Sequence, residues 1–239
     1  QNQCYLGISL SKKELNKRDY KIFPNAHSLK GTLAYAITRI ANAKKSDAIV
    51  DPFSFSGEVP IEAALWSTNF PVNYYDKQRC INEKIPTIDQ QVIKKLIEKA
   101  EKEITIPKKP SIFCFDPNDP NINAAKKNAK IAGINKAIQF SRMNIDWLDT
   151  RLEKASIDKI ITYPPEPSAK TNKKEIEKLY NEFFYQADFI LKKKGTITII
   201  QRLPKLIKTI AKEKKFNIKE ERTIFAGKEP LQIVIFSKT

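Results

Sequence analysis

Residues 47–66 read DAIVDPFSFSGEVPIEAALW. Residues 47–51 are a short apolar run, PFSFSG breaks it, and VPIEAALW (59–66) resumes, so the stretch predicts strand, turn and helix. The alternation continues outward. On the N-terminal side, residues 28–43 set Leu29, Leu33, Ala36, Ile37 and Ile40 on one helical stripe, with Ser28 as the expected cap. On the C-terminal side, SIFCFD (111–116), AIQFSR (137–142), DKIIT (158–162), GTITIIQR (195–202) and LQIVIFSKT (231–239) read as strands. Between them lie NINAAKKNAKIAGI (121–134), a helix ending at Gly133, and helices near 173–192 and 203–214. Residues 68–110 carry Pro71, Pro86, Pro107 and Pro110 around an amphipathic helix (90–104), an insertion or long crossover helix. Strands alternating with helices predict a largely parallel α/β sheet covered on both faces, with ligands outside the carboxyl ends of its strands.

The 239 residues suffice for a buried core, and no apolar run approaches a membrane span. The opening QNQCYLGISL has neither a basic leader nor a cleavage site, so the cytoplasm is the expected location; the only methionine is Met143, which suggests part of a longer chain. Cys4, Cys80 and Cys114 form no CxxC pair and the only histidine is His27, so no metal site is expected. A net charge of +16 points to a phosphate-rich partner, nucleic acid first. Only seven of the 43 basic residues are arginine, and a lysine excess can also follow from coding bias or a hot habitat.

Three strand ends carry candidate chemistry. The turn from Asp51 to Gly57 brings backbone N–H groups and a helix start close together, as a ligand turn does; a plain strand-to-helix bend would use the same residues. It is neither a GxGxxG fingerprint nor a phosphate loop. Asp116 ends the next strand, where a carboxylate can accept both hydroxyls of a ribose or simply face a helix dipole. ITYPPEP (161–167) follows a later strand, and its prolines fix extended backbone whose carbonyl oxygens are expected to face a cleft, or else stiffen a loop.

Taken together, these segments resemble the class I S-adenosylmethionine-dependent methyltransferases, and among them the THUMP-associated RNA methylases that modify guanine N2. LNKRDY (15–20) and SLKGTLA (28–34) match the family's LxxRxY and SL-xx-TLA, and DPFSFSGEVPIEAA (51–64) matches DPFCGSGTIPIEAA. Ala125, Asn128, Ala129, Ala132 and Gly133 match AxxNAxxAG, while LYNEFF and LKKKGTITII match a later helix and strand. The resemblance implies a Rossmann-like fold with a mostly parallel seven-stranded sheet and helices on both faces. It implies an N-terminal linker or strand and docking helix over 1–45 and a methyltransferase domain over 46–239, with the insertion at about 70–110. S-adenosylmethionine would be held by Asp51, Phe53, Ser56, Gly57, Asp116, Asn144 and Asp146, and Tyr163, Pro164, Pro165 and Glu166 would form the catalytic loop.

The chain departs from the family at this site. Phe55 stands where the family has glycine and Glu58 where it has threonine, placing a ring and a negative charge near the methionine carboxylate. The family's NPPY or DPPY is YPPE here, without the amide or acid that accepts from the target amino group and without the aromatic that stacks on a flipped base. Basic clusters at 11–18, 107–109, 169–174 and 212–215 fit RNA phosphates, with aromatics such as Tyr20, Phe23, Tyr74 and Tyr75 nearby in sequence; solvated helix faces would look alike, above all at 212–215. The leading expectation is an RNA methyltransferase domain acting on tRNA guanine, with an upstream THUMP domain or a partner subunit. The alternatives are a non-catalytic paralogue that binds RNA or a partner subunit, and a small-molecule or protein methyltransferase.

Overall fold

The computed structural model describes residues 3–4, 6–7, 14–25, 27–76, 89–167 and 171–239. Tyr5, Cys80, Pro86 and part of the clusters at 11–18 and 169–174 lie outside them. In chain order the elements are α1 (Gly31–Ile40), β1 (Ile49–Asp51), α2 (Glu58–Ser67), α3 (Gln90–Lys102), β2 (Ile112–Asp116), α4 (Asp119–Ile131), β3 (Ile138–Arg142), α5 (Leu148–Arg151), β4 (Ile157–Thr162), α6 (Lys173–Ile190), β5 (Leu191–Gln201), α7 (Lys205–Glu213), β6 (Phe216–Ala226) and β7 (Glu229–Lys238).

Seven strands form one sheet in the order β3-β2-β1-β4-β5-β7-β6. The first five pair in parallel, while β7 pairs antiparallel with both β5 and β6. Adjacent residues of each strand divide between two layers of core. Ile49, Ile112, Cys114, Ile161 and Ile233 pack with residues of α1, α2 and α4, including Ile37, Ile61 and Ala125. Val50, Phe115, Ile160, Ile199 and Val234 pack with Phe183 and Phe184 of α6 and Ile207 of α7. This is period-two geometry: neighbouring side chains point to opposite faces, and both faces are covered.

Two expectations need correction. Ser28 does not cap α1; Lys30 holds the N-cap position without a side-chain bond, and the Ser28 hydroxyl is drawn instead to the hydroxyl of Ser56. The strand β6 lies in a stretch that predicted none, because FNIKEERTIFA buries little beyond Phe216 and pairs along one edge only. Its charges suit the exposed edge of a sheet. Among the described residues before Ile49 there is a helix but no strand.

Candidate active site

The registers of β1 and β2 place Asp51 opposite Cys114, so Asp116 lies two residues further along the neighbouring strand. The turn after β1 folds back over that strand end. The Ser54 amide and hydroxyl both donate to the Phe115 carbonyl, at 3.0 and 2.8 Å. The Gly57 amide closes the turn on the Ser54 carbonyl at 2.7 Å, and Gly57 enters α2 at φ +87°. A Cβ on Gly57 would lie 2.8 Å from the Ala125 Cβ, so glycine is required both by the dihedral and by the close approach of α4.

Both acids at this edge are buried. Asp51 Oδ1 accepts from the Phe53 amide at 3.1 Å and from the Thr162 hydroxyl at 2.6 Å, joining the ends of β1 and β4. Burial pushes the Asp51 carboxyl up to about 7, against the pull of these two bonds, with the charges of Asp116 and Glu58 adding to the rise. Asp116 Oδ1 accepts from the Asn118 amide and from Asn121 Nδ2, each at 2.9 Å, while Oδ2 accepts from the Phe55 amide at 3.0 Å. The Met143 amide donates to the Asp116 carbonyl at 3.0 Å, which brings Asn144 next to the end of β2.

The remaining positions of the turn are occupied internally. Phe53 is a core residue, its ring 5.5 Å from that of Phe183, so only its backbone faces the turn. Ser56 is fully buried and donates to Glu58 Oε1 at 2.8 Å. Glu58 is itself buried, with Lys21 Nζ 3.6 Å away, so its charge is matched within the protein. The side chains of Phe53 and Ser56 thus support the turn's own structure. Asn144 and Asp146 are exposed beyond β3, and Asp146 lines a cavity of about 240 Å³ with Glu175 and Lys178 of α6.

After β4, the carbonyls of Pro164 and Pro165 are both hydrogen-bonded within the fold. The Pro165 carbonyl accepts from the Tyr180 hydroxyl and the Pro164 carbonyl from Gln201 Nε2, groups that burial obliges to find partners. Glu166 bends away to accept from the Arg202 amide at 2.7 Å; burial raises its carboxyl while that bond lowers it. Tyr163 is half-buried and faces a cavity of about 430 Å³ that His27, Lys30, Arg202 and Glu229 also line. The rings of His27 and Tyr163 lie 5.4 and 6.5 Å from that of Phe55.

Two asparagines that the strand-end reading passed over organise the site. Asn121 donates to Asp116 and its Oδ1 accepts from Asn25 Nδ2 at 2.6 Å. Asn128, fully buried, donates through Nδ2 to the carbonyls of Phe23 and Ser56 and accepts from the Phe23 amide. The available signal was the placement of amide side chains on the inner face of an otherwise alanine-rich helix.

Residues 18–230 match the family model UPF0020, described as the RMKL-like methyltransferase domain. Over 214 residues the chain is 28% identical to a tRNA (guanine(6)-N2)-methyltransferase of Methanocaldococcus jannaschii, covering 89% of this chain and 55% of that protein. Over 171 residues it is 29% identical to the ribosomal RNA large subunit methyltransferase K/L of Buchnera aphidicola subsp. Schizaphis graminum, covering 69% and 24%. The chain spans about half the length of the curated relatives it matches first. In fold it is similar to SMU.472, crystallised with SAH, at a TM-score of 0.78 and 20% identity, over 96% of this chain and 57% of that one.

Proposed function

The chain belongs to the UPF0020 family of RMKL-like methyltransferase domains, and from that premise we propose that it is the S-adenosylmethionine-dependent domain of an RNA methyltransferase, acting on guanine N2 of tRNA. One observation carries the reading: hydrogen-bond acceptors stand in a row at the carboxyl ends of adjacent parallel strands, Asp116 after β2 and Asn144 and Asp146 after β3, beside the Asp51 turn. That set suits a nucleoside, whose ribose hydroxyls and adenine amino group are donors.

The acceptor chemistry fits the cofactor at its nucleoside end. Asp116 would take a ribose hydroxyl, since Oδ2 carries one bond among the described residues, and Asn144 or Asp146 would take the adenine amino group. S-adenosylmethionine, when bound, supplies a methyl group already activated on a sulfonium, so the protein's work is chiefly alignment. Asp51 and Thr162 fix the spacing of β1 and β4. Tyr163 offers an aromatic face to a base in the larger cavity, and the stiff Pro164–Pro165 backbone sets the position of that ring. Lysines outside the site would neutralise backbone phosphates.

The guanine substrate is supported by the 28% identity to the Methanocaldococcus jannaschii tRNA enzyme. We further propose a THUMP domain or a partner subunit working with this chain, in keeping with its 27% identity over 107 residues to the tRNA (guanine(6)-N(2))-methyltransferase THUMP3 of Bos taurus. The test is incubation of the chain with bulk tRNA and methyl-labelled cofactor, followed by nucleoside analysis. Label in N2-methylguanosine is the expected result; label in another nucleoside, or in free metabolites only, overturns the substrate assignment. A second reading, a non-catalytic domain that binds RNA or a partner subunit, is favoured by Glu166, whose carboxylate is spent on Arg202 where a stacking ring is expected. Methyl turnover on any RNA ends it.

A further inference from the structure

We propose that Phe55 is a built-in competitor for the cofactor's ribose: its ring anchors the turn so that its amide occupies the carboxylate the ribose requires. The inference rests on the cofactor reading above. Asp116 is 2% exposed, and its Oδ1 already accepts two bonds from residues that follow it in the chain. Only Oδ2 remains, and the Phe55 amide takes one of its two acceptor positions at 3.0 Å. A carboxylate that grips both hydroxyls of a ribose needs two places, so the Phe55 amide must leave for the second hydroxyl to bind.

The backbone alone would not hold that amide in place. Phe55 sits at φ +45°, a conformation that costs a residue with a side chain and costs glycine nothing. What holds it is the ring, which packs against the α6-side core and meets the rings of His27, at 5.4 Å, and Tyr163, at 6.5 Å. His27 and Tyr163 also line the cavity of about 430 Å³. The ring therefore joins the cofactor turn to the substrate cavity, and cofactor binding in this chain includes a movement of Phe55.

The test is calorimetric titration of the full chain with S-adenosylhomocysteine, comparing wild type with Phe55→Gly and Phe55→Ala, with thermal melts to establish that each variant is folded. Amide exchange at residue 55 is followed by NMR in the wild type. A hydrogen bond to a charged group corresponds to roughly tenfold or more in affinity. The expected result is S-adenosylhomocysteine binding about tenfold tighter to Phe55→Ala, which loses the ring but keeps the strain at φ +45°, a smaller gain for Phe55→Gly, whose unstrained amide can stay on Asp116, and faster exchange of the wild-type Phe55 amide at saturation. Equal affinity in wild type and both variants, or unchanged amide protection at saturation, overturns this inference and leaves the cofactor reading standing. Absence of binding to all three folded proteins overturns both.

Discussion

Arg18 reaches across the fold to Glu62 of α2, its Nε 2.6 Å from Oε1, and the Tyr20 hydroxyl donates to the same oxygen at 2.8 Å. Glu62 is fully buried, so its charge depends on these two partners, and burial together with that charge holds the Tyr20 hydroxyl in its protonated form. Removing one partner of a buried pair leaves the other charge unpaired, at a cost of about 3–5 kcal/mol. Arg18→Ala should destabilise the chain by that order in urea unfolding. An Arg18→Met, Glu62→Leu double variant should recover most of the loss, because replacing both charges removes the desolvation cost.

The Asp51 carboxyl gives a pH dependence of defined sign. Its folded value of about 7 lies above the ordinary carboxylate range of an unfolded chain, near 4. The folded state therefore binds the proton more tightly, and this group's contribution is present in full below about pH 4 and lost as pH rises toward 7. Urea midpoints from pH 4 to pH 7 should include a component that falls with rising pH, on the order of 1 kcal/mol per unit. In Asp51→Asn, which keeps an acceptor for Thr162, that component should vanish; an identical slope in both proteins would reject the assignment.

Gly57→Ala should cost about 1–3 kcal/mol, because alanine at φ +87° is strained and its Cβ meets Ala125 at 2.8 Å. Pairing it with Ala125→Gly should return the steric part and leave the dihedral part. Full recovery in the double variant would show that close approach, and not backbone conformation, fixes glycine at this turn.

Tyr163 is the aromatic group of the larger cavity on the loop after β4. Stacking of a base on an aromatic ring is worth about 1–3 kcal/mol. Tyr163→Ala should lower kcat/KM for tRNA by roughly ten- to a hundredfold on that scale, while Tyr163→Phe retains most activity. Unchanged kcat/KM in the alanine variant would place the base elsewhere.

The layered sheet was legible in the sequence because local signals agree: apolar runs of four to six residues, helical stripes and turn residues in regular order. Strand ends, and with them Asp51 and Asp116, follow directly from that order. What escaped depends on partners distant in the chain. Ser28 has the makings of a cap until Ser56, 28 residues on, takes its hydroxyl. The Pro164 and Pro165 carbonyls accept from Gln201 and Tyr180, partners that the loop's own residues do not name. Phe53 and Phe55 are two residues apart with the same side chain, yet one ring is core and the other bridges the turn and the cavity. The alternation of faces along the chain does not foretell that difference, since Phe55 lies inside the turn that the Gly57 amide closes on Ser54 and Phe53 lies before it.

The strand order carries a consequence for how the chain is made. β7 lies between β5 and β6, although it is synthesised after both. Until it emerges from the ribosome, β5 presents an open edge and β6 has no neighbour, so the parallel half of the sheet waits with exposed backbone donors and acceptors. Completion of the sheet thus waits for β7, and the interval before it is when the nascent protein is most open to wrong strand pairing and to chaperone capture.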